Sequence, residues 1–288
     1  MNGLVKIVLF FAIPVIFSSC IFDDEEEGEK WNVAKVCPET GSNSYGMPNR
    51  GTFTDERDGN VYHYTTIGDQ VWMAENLRFE LPHPYSMCYG MEYCYPKKRS
   101  LTDTATTCFK DTTKLTDIAQ RMQLVCIDND CIVEEYCKKF GRYYALKEGV
   151  PNTDYALLNR DVVDTVCPKG WHLPTKAEWM ILGKNVEYEY FRLTSDDSLL
   201  ADRYIRAESN ECGFSALLGG YINENGSLNR MFLTVGYYWT STARSESSVE
   251  TMLFIANGDP TPFGPDAGFN TIRCIMDSPM STQRLDTP

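Results

Sequence analysis

Cys167-Pro168-Lys169-Gly170-Trp171-His172-Leu173-Pro174-Thr175-Lys176-Ala177-Glu178-Trp179 is the stretch whose reading decides the fold. Cys167 to Gly170 reads as a turn that a disulfide can tie down. Trp171, His172 and Leu173 read as a short extended segment. Pro174 closes that segment and holds the residue before it out of the helical region. Thr175 can then cap a helix, and Glu178 can reach back to the cap backbone, completing a capping box. Trp179, Leu182 and Val186 recur at helical spacing and share one face. The pattern predicts a strand end, a proline stop and a helix from about Thr175 to Glu187. His172 reads as a residue hydrogen-bonded in the core, without a partner suited to catalysis.

Upstream of this stretch the texture is that of short strands. Order begins near Gly51-Thr52-Phe53-Thr54-Asp55, and Asp58-Gly59 signals a hairpin turn. Val61, Tyr62, Tyr64 and Thr66 carry strand propensity. Gly68-Asp69 turns the chain again before a strand at Gln70-Val71-Trp72-Met73. Asp55, Asp58 and Asn60 have the composition of a metal loop, but turn chemistry explains them better. Glu75 and Asn76 read as polar groups that bond to nearby backbone, with no second carboxylate or nucleophile in sequence to make Glu75 catalytic. Leu115, Ile118, Met122 and Val125 have helical spacing, and a second short helix ends at Gly141 and gives way to an extended Arg142-Tyr143-Tyr144. Residues 82–136 read as an insertion, the place where loops can add specificity to a scaffold. Its Lys97-Lys98-Arg99 run is the most basic in the chain.

Downstream, Phe214, Ala216 and Leu218 alternate as in a half-buried strand, and Gly219-Gly220 permits a close approach. Gly236-Tyr237-Tyr238-Trp239-Thr240-Ser241-Thr242 is a further dense motif, Val249 to Ile255 reads as a strand and Thr271 to Met276 as the closing strand. The result is an α+β architecture of short antiparallel strands, few helices and long loops, with aromatic residues supplying much of the core.

The chain has 288 residues, 27 Lys and Arg against 40 Asp and Glu, and a formal net charge of −13. That balance argues against nucleic acid, which requires a basic face. Lys6 and the apolar run Ile7 to Phe17 form an export signal too short to span a bilayer. The run ends in Ser18-Ser19-Cys20, which resembles a bacterial lipobox, so Cys20 is the expected lipidated residue. Asp23-Asp24-Glu25-Glu26-Glu27-Gly28-Glu29 is then a solvated tether. The expected organisation is a signal peptide over 1–19, the lipidated cysteine, tether and linker over 20–50, one domain over 51–276 and a flexible tail over 277–288.

The sequence holds 11 cysteines. With Cys20 lipidated, Cys37, Cys88, Cys94, Cys108, Cys126, Cys131, Cys137, Cys167, Cys212 and Cys274 remain. An even set in an exported protein implies up to five disulfides. Cys167 and Cys274 are expected to join across the fold. Cys88–Cys94 and Cys126–Cys131 are local candidates, and Cys212 can take Cys37 or Cys274. No histidine stands beside a cysteine pair at zinc spacing, so no metal and no cofactor are expected.

Four motifs occur in fixed order: Thr54-Asp55-Glu56-Arg57-Asp58-Gly59 with Gln70 to Leu77; Cys167 to Pro174 with Glu178-Trp179; Gly213-Phe214-Ser215-Ala216-Leu217 with Gly220-Tyr221; and Tyr238-Trp239-Thr240-Ser241 with Ile272-Arg273-Cys274. Together they resemble the Fibrobacter succinogenes major paralogous domain family of surface or exported proteins, over about Gly51 to Met276. Cys88 and Cys137, followed by Phe140-Gly141-Arg142-Tyr143, look like another family element, so the resemblance offers Cys137 as an alternative partner for Cys88. Leu173 to Trp179 is also similar to a segment of formylglycine-generating enzymes and their C-type-lectin-like scaffold, which implies an irregular fold of that type. That likeness covers a capping box and a core tryptophan and carries no active site.

The function expected is a cell-envelope lipoprotein, anchored to the outer membrane or cell surface, acting as a non-catalytic binding or structural module. Plant cell-wall polysaccharide is the ligand that the resemblance implies, with a surface protein as another partner. Trp72, Tyr237, Tyr238 and Trp239 are candidates for stacking on sugar, with core packing as their alternative role. The competing reading is a formylglycine-generating-enzyme-like or other surface enzyme. No Ser-x-x-Lys, Gly-x-Ser-x-Gly or His-Glu-x-x-His motif supports it.

Overall fold

A computed structural model describes residues 31–82, 85–96, 106–122, 128–146, 160–196, 210–223, 226–229, 232–245, 248–255 and 268–278. Cys20, the acidic run 23–29, Lys97-Lys98-Arg99, Cys126 and most of the tail lie outside the described residues. The chain divides into Met1–Trp31 and Asn32–Pro288, and the elements below all belong to the second unit.

In chain order these elements are α1 (Val33–Val36), β1 (Arg50–Thr54), β2 (Val61–Ile67), β3 (Gln70–Met73), β4 (Ser86–Met87), β5 (Tyr93–Pro96), β6 (Thr106–Phe109), α2 (Leu115–Arg121), α3 (Asn129–Phe140), β7 (Tyr143–Tyr144), α4 (Arg160–Thr165), β8 (Trp171–His172), α5 (Lys176–Asn185), β9 (Val235–Ser245), β10 (Ser248–Ile255), β11 (Asn270–Thr271) and β12 (Ile275–Met276). One sheet runs β1-β2-β3-β12-β8 and a second runs β10-β9-β11-β7-β4, while β5 and β6 pair separately. Most pairings are antiparallel; β11 meets β9 in parallel. This is an α+β fold of short strands, few helices and long loops, and neither five-stranded sheet closes into a barrel.

The opening stretch folds as its residues require. Trp171–His172 pairs with the end of the chain, Ile275 opposite His172 and Met276 opposite Trp171. Thr175 caps α5 in extended geometry, and both halves of the capping box are made. Trp179, Leu182 and Val186 are buried along the side facing the core. Trp179 packs against Trp72 with ring centroids 4.7 Å apart, and Phe214, Tyr238 and Phe254 surround it. Each such aromatic pair contributes about 0.5–1.5 kcal/mol beyond its buried area.

Three disulfides clamp the loops: Cys37–Cys212, Cys88–Cys137 and Cys167–Cys274. The bond between Cys167 and Cys274 is the one expected across the fold. Cys88 bonds to Cys137 on α3, so the local Cys88–Cys94 pairing is corrected: β5 carries Cys94 away from Cys88, opposite Cys108 on β6. Cys108 and Cys131 are disulfide-bonded as well. Bonds of this kind persist in oxidising, extracytoplasmic compartments.

Two further expectations change. Residues 32–49, read as linker, are bound into the unit: the Gly68 N–H donates to the Val36 carbonyl, the Thr66 N–H to that of Asn49, and Cys37 is bonded to Cys212. The closing strand is two strands, because the chain passes from β11 in one sheet to β12 in the other. Ile272, Arg273 and Cys274 make that crossing and are fully buried. Phe214, Ala216 and Leu218 do alternate inward as expected, but they make isolated bridges (Ala216 with Thr194, Gly220 with Gly236) and form no regular strand.

Candidate functional site

A cleft of about 740 Å³ opens where β1, β2, the segment after β3, the end of α3 and the loops around 195 and 213–217 converge. Arg50, His63, Glu75, Arg78, Lys138, Lys139, Asp196 and Ser215 give it its chemistry. Strand geometry explains the first members. Alternate residues of a strand share a face, and in β2 Tyr62 and Tyr64 point inward while His63 is exposed.

Arg273, fully buried, does not line the cleft but bonds to the segments that do. Its Nε and Nη2 donate to Asn76 Oδ1 at 3.1 and 2.6 Å. Nη1 donates to the Phe214 carbonyl and, at 3.4 Å, to that of Met73; Nη2 also reaches the Ser215 carbonyl at 3.2 Å. The guanidinium lies over the Phe214 ring, 4.6 Å from its centroid. Every acceptor it meets is neutral. Burial pulls its pKa below the ordinary arginine value, opposed by Tyr238 and Glu75, and an arginine stays protonated regardless. One buried cation therefore ties the 73–76 wall of the cleft to the 214–215 wall. Asn76 adds a third tie, since its Nδ2 donates to the Phe140 carbonyl at 2.8 Å. Gly141 makes that approach feasible: at φ +79 a Cβ there would lie 2.6 Å from that of Asn76.

Glu75 is held by its surroundings. Its Oε2 accepts from the His63 backbone N–H at 2.8 Å, its Oε1 lies 3.3 Å from His63 Nδ1, and Arg78 stands 3.9 Å away. This is the backbone-bonding role expected of it. The tertiary structure also brings Asp196 into the same cleft, so a second carboxylate does line the site. Asp196 accepts from Asn210 Nδ2 at 3.1 Å, and the same Asn210 accepts the Ser215 N–H at 2.7 Å. Ser215 is held at φ +54, a left-handed conformation that costs a serine energy and that concentrates at functional sites.

None of the four aromatic candidates lines the cleft, and three of them are core. Trp72 and Tyr238 are fully buried and Trp239 nearly so. The Trp72 indole N–H donates to Gln70 Oε1 at 3.2 Å, that of Trp239 to the Tyr144 carbonyl at 2.6 Å, and the Tyr238 hydroxyl to the Leu217 carbonyl at 2.9 Å. These residues are core, because strand pairing turns their rings inward, and they offer no face to a sugar. Tyr237 is half-buried against Tyr221, with centroids 4.8 Å apart, and does not line the cleft.

His172 also differs from its expected role. It is partly exposed, and each ring nitrogen meets a carboxylate: Nδ1 lies 2.7 Å from Asp277 and Nε2 2.8 Å from Glu178. Glu178 Oε2 meanwhile accepts from the Thr175 N–H and hydroxyl. Burial opposes a charge on the ring, but the hydrogen bonds and charges of Glu178 and Asp277 outweigh it and raise the His172 pKa. Asp277 lies just past the expected domain end, which hid it from the sequence reading. Asp55 likewise serves a turn, gripping Arg57 through Nε at 2.9 Å and Nη2 at 2.7 Å. Among the described residues no group of three or more His, Cys, Asp or Glu is placed to hold a metal ion, and no helix is long and apolar enough to cross a membrane.

Sequence reasoning named neither Arg50, Arg78, Lys138, Lys139 nor Asp196 as a site residue. Local pattern carried one hint, the adjacent lysines ending the α3 helix; the others converge only through β1–β2 pairing and loop packing.

No curated protein and no solved structure matches the chain. The model of the Fibrobacter succinogenes major domain matches residues 65–276. That span starts inside β2 and contains Glu75, Arg78, Lys138, Ser215 and Arg273, while Arg50 and the 32–49 segment precede it. With its ordered motifs, its disulfide-clamped α+β fold and a match covering most of its length, the chain belongs to the Fibrobacter succinogenes major domain family.

Proposed function

We propose that this protein is a lipid-anchored cell-envelope protein whose domain is a non-catalytic binding module for plant cell-wall polysaccharide, held to the outer membrane or cell surface through Cys20. The observation that carries the binding reading is the cleft: it is large enough for a few sugar units, open, and lined by hydrogen-bonding groups on strands, a helix end and tied loops. Rigid walls lower the ordering cost of binding, and Arg273 with the Cys37–Cys212 bond supplies that rigidity. The non-catalytic reading draws on the carboxylates, since Glu75 is engaged by His63 and Arg78 and Asp196 by Asn210. The anchor reading draws on Ser18-Ser19-Cys20 followed by an acidic tether. Two or more acyl chains hold a protein at a membrane far more firmly than one.

The test is retention of the purified protein on a panel of insoluble and soluble plant cell-wall polysaccharides, with reducing ends assayed in parallel. Retention without release of sugar is expected. Release of reducing ends that Glu75→Gln abolishes would replace this reading with the enzyme alternative. For the anchor, Cys20→Ala should abolish labelling by a fatty-acid analogue; an unmodified Cys20 in the mature N-terminal peptide would overturn that part.

A further inference from the structure

Four cations, Arg50, Arg78, Lys138 and Lys139, line the cleft against two carboxylates, Glu75 and Asp196, in a chain whose formal net charge is −13. Positive charge is thus concentrated where the rest of the molecule is acidic. For Lys138 and Lys139 a simpler reason exists, since cations suit the C-terminal turn of a helix and both end α3. That reason does not extend to Arg50 on β1 or Arg78 after β3, which reach the same space from other elements.

Two of these cations, Arg50 and Lys138, have a partner of a kind that a ligand can replace, while Arg78 is set in place by the Val61 carbonyl at 2.7 Å. Arg50 meets Glu39 at 3.0 Å, but the Glu39 side chain is 74% exposed. Lys138 meets Glu135 at 3.7 Å with both side chains exposed. Pairs with an exposed, mobile carboxylate contribute little, so exchanging one for a ligand carboxylate costs little. Arg50 Nη2 is held by the Glu211 carbonyl at 3.0 Å, so Nη1, on the exposed Glu39, is the donor a ligand can take over. A planar guanidinium with such a donor suits a carboxylate.

Stacking on a large ring does not set the selectivity of this cleft. Among its lining residues the one Phe, Tyr or Trp ring is Tyr64, which is 4% exposed and packs on Gly51, and the small His63 imidazole lies against Glu75. A neutral glycan recognised mainly by ring faces would find no platform here, whereas a chain of uronic acids would meet a donor or cation at several successive positions.

We infer that the cleft selects a carboxylated polysaccharide, a polyuronate, over neutral glycans, with Arg50, Arg78, Lys138 and Lys139 receiving the carboxylates. This rests on the polysaccharide-binding reading above. The experiment uses the full chain in detergent and titrates two forms of one polymer, de-esterified polygalacturonate and its fully methyl-esterified counterpart, at low and at high sodium chloride. The de-esterified form should bind at least tenfold more tightly, and high salt should narrow that gap because screening weakens exposed charge pairs. Lys138→Gln with Lys139→Gln should narrow the preference, measured at a temperature where thermal unfolding shows both proteins folded; an unchanged preference would overturn the assignment of the two lysines. Equal binding of both forms would overturn the charge inference and leave the polysaccharide reading standing. Binding of neither, with neutral glycans retained, would overturn it in the same way. Binding of no polysaccharide at all would overturn both. Competition by millimolar acetate or phosphate as effective as the polymer would make this a small-anion site and overturn the inference.

Discussion

Arg273→Met tests whether one buried cation holds the cleft together. The substitution keeps most of the side-chain volume and removes every donor. Asn76 Oδ1 and the Phe214 and Ser215 carbonyls then lose their guanidinium partner in a buried setting. A buried acceptor left unsatisfied costs about 1–3 kcal/mol, and neighbours in one network do not add fully. Against this, the variant no longer desolvates a charge, which returns part of the loss. The acceptors outnumber the single charge, so we expect a net destabilisation of about 2–4 kcal/mol. For a domain of this size that lowers the melting temperature by roughly 4–15 °C. Arg273→Lys should do no better, because a compact ammonium cannot span Asn76 on one side and two carbonyls on the other. The assay is thermal unfolding under non-reducing conditions, paired with ligand titration at a temperature where both variants are folded. Ligand affinity should fall as well, since the 73–76 and 214–215 walls are no longer tied. A methionine variant that melts within about 2 °C of wild type, or a lysine variant indistinguishable from it, would refute the claim that the guanidinium joins the walls.

Replacing Cys167 and Cys274 together by alanine opens a loop whose ends are 107 residues apart; on the chain-entropy account the loss is about 4–5 kcal/mol, and the melting temperature should fall by roughly 8–20 °C. Unchanged melting would show that the denatured chain is not restrained by this bond. The His172 cluster predicts a pH dependence with a definite sign. A raised histidine pKa contributes stability fully below its unfolded value near 6.5 and loses it as pH rises through the folded value. Glu178, whose pKa burial would raise but which His172 and Thr175 lower, contributes above its ordinary value near 4.5 and loses it as pH falls through the folded value. Stability from this cluster is therefore greatest between about pH 4.5 and 6.5. Tyr45, whose pKa is raised by burial and by Glu178, Asp69 and Asp277, stays neutral there and does not reverse the sign. His172→Gln should flatten the fall in melting temperature above pH 6.5, and an unaltered profile would show that the ring makes no net contribution.

Local chemistry decided much of this protein, and the parts it decided are those in which neighbours along the chain are the cause. Thr175 and Glu178 are three residues apart, so their capping box was legible, as were Pro174 as a stop and Trp179, Leu182 and Val186 as the inward face. Asp58-Gly59 and Gly68-Asp69 likewise made their turns between β1, β2 and β3. The break between β11 and β12 was not legible, because Thr271 to Met276 is continuous strand-like sequence and only competition between two sheets divides it. The aromatic candidates failed for a related reason. Composition identifies Trp72, Tyr238 and Trp239 as able to stack on a sugar or on one another, and pairing register decides which.

By itself the sequence determined the acidic balance, the α+β class and the residues that start and stop many of its elements. Propensity, charge and short-range hydrogen bonding act over a few residues, so they can be read from a few residues. Only the tertiary structure decided that Cys88 joins Cys137, that His172 lies between Glu178 and Asp277, and that Arg273 reaches from the end of the chain to Asn76 and Ser215. The cleft belongs to the same class. Arg50, Arg78, Lys138 and Asp196 are unremarkable surface charges when taken one at a time, and they become a site because loop closure and sheet pairing bring distant charges into one space.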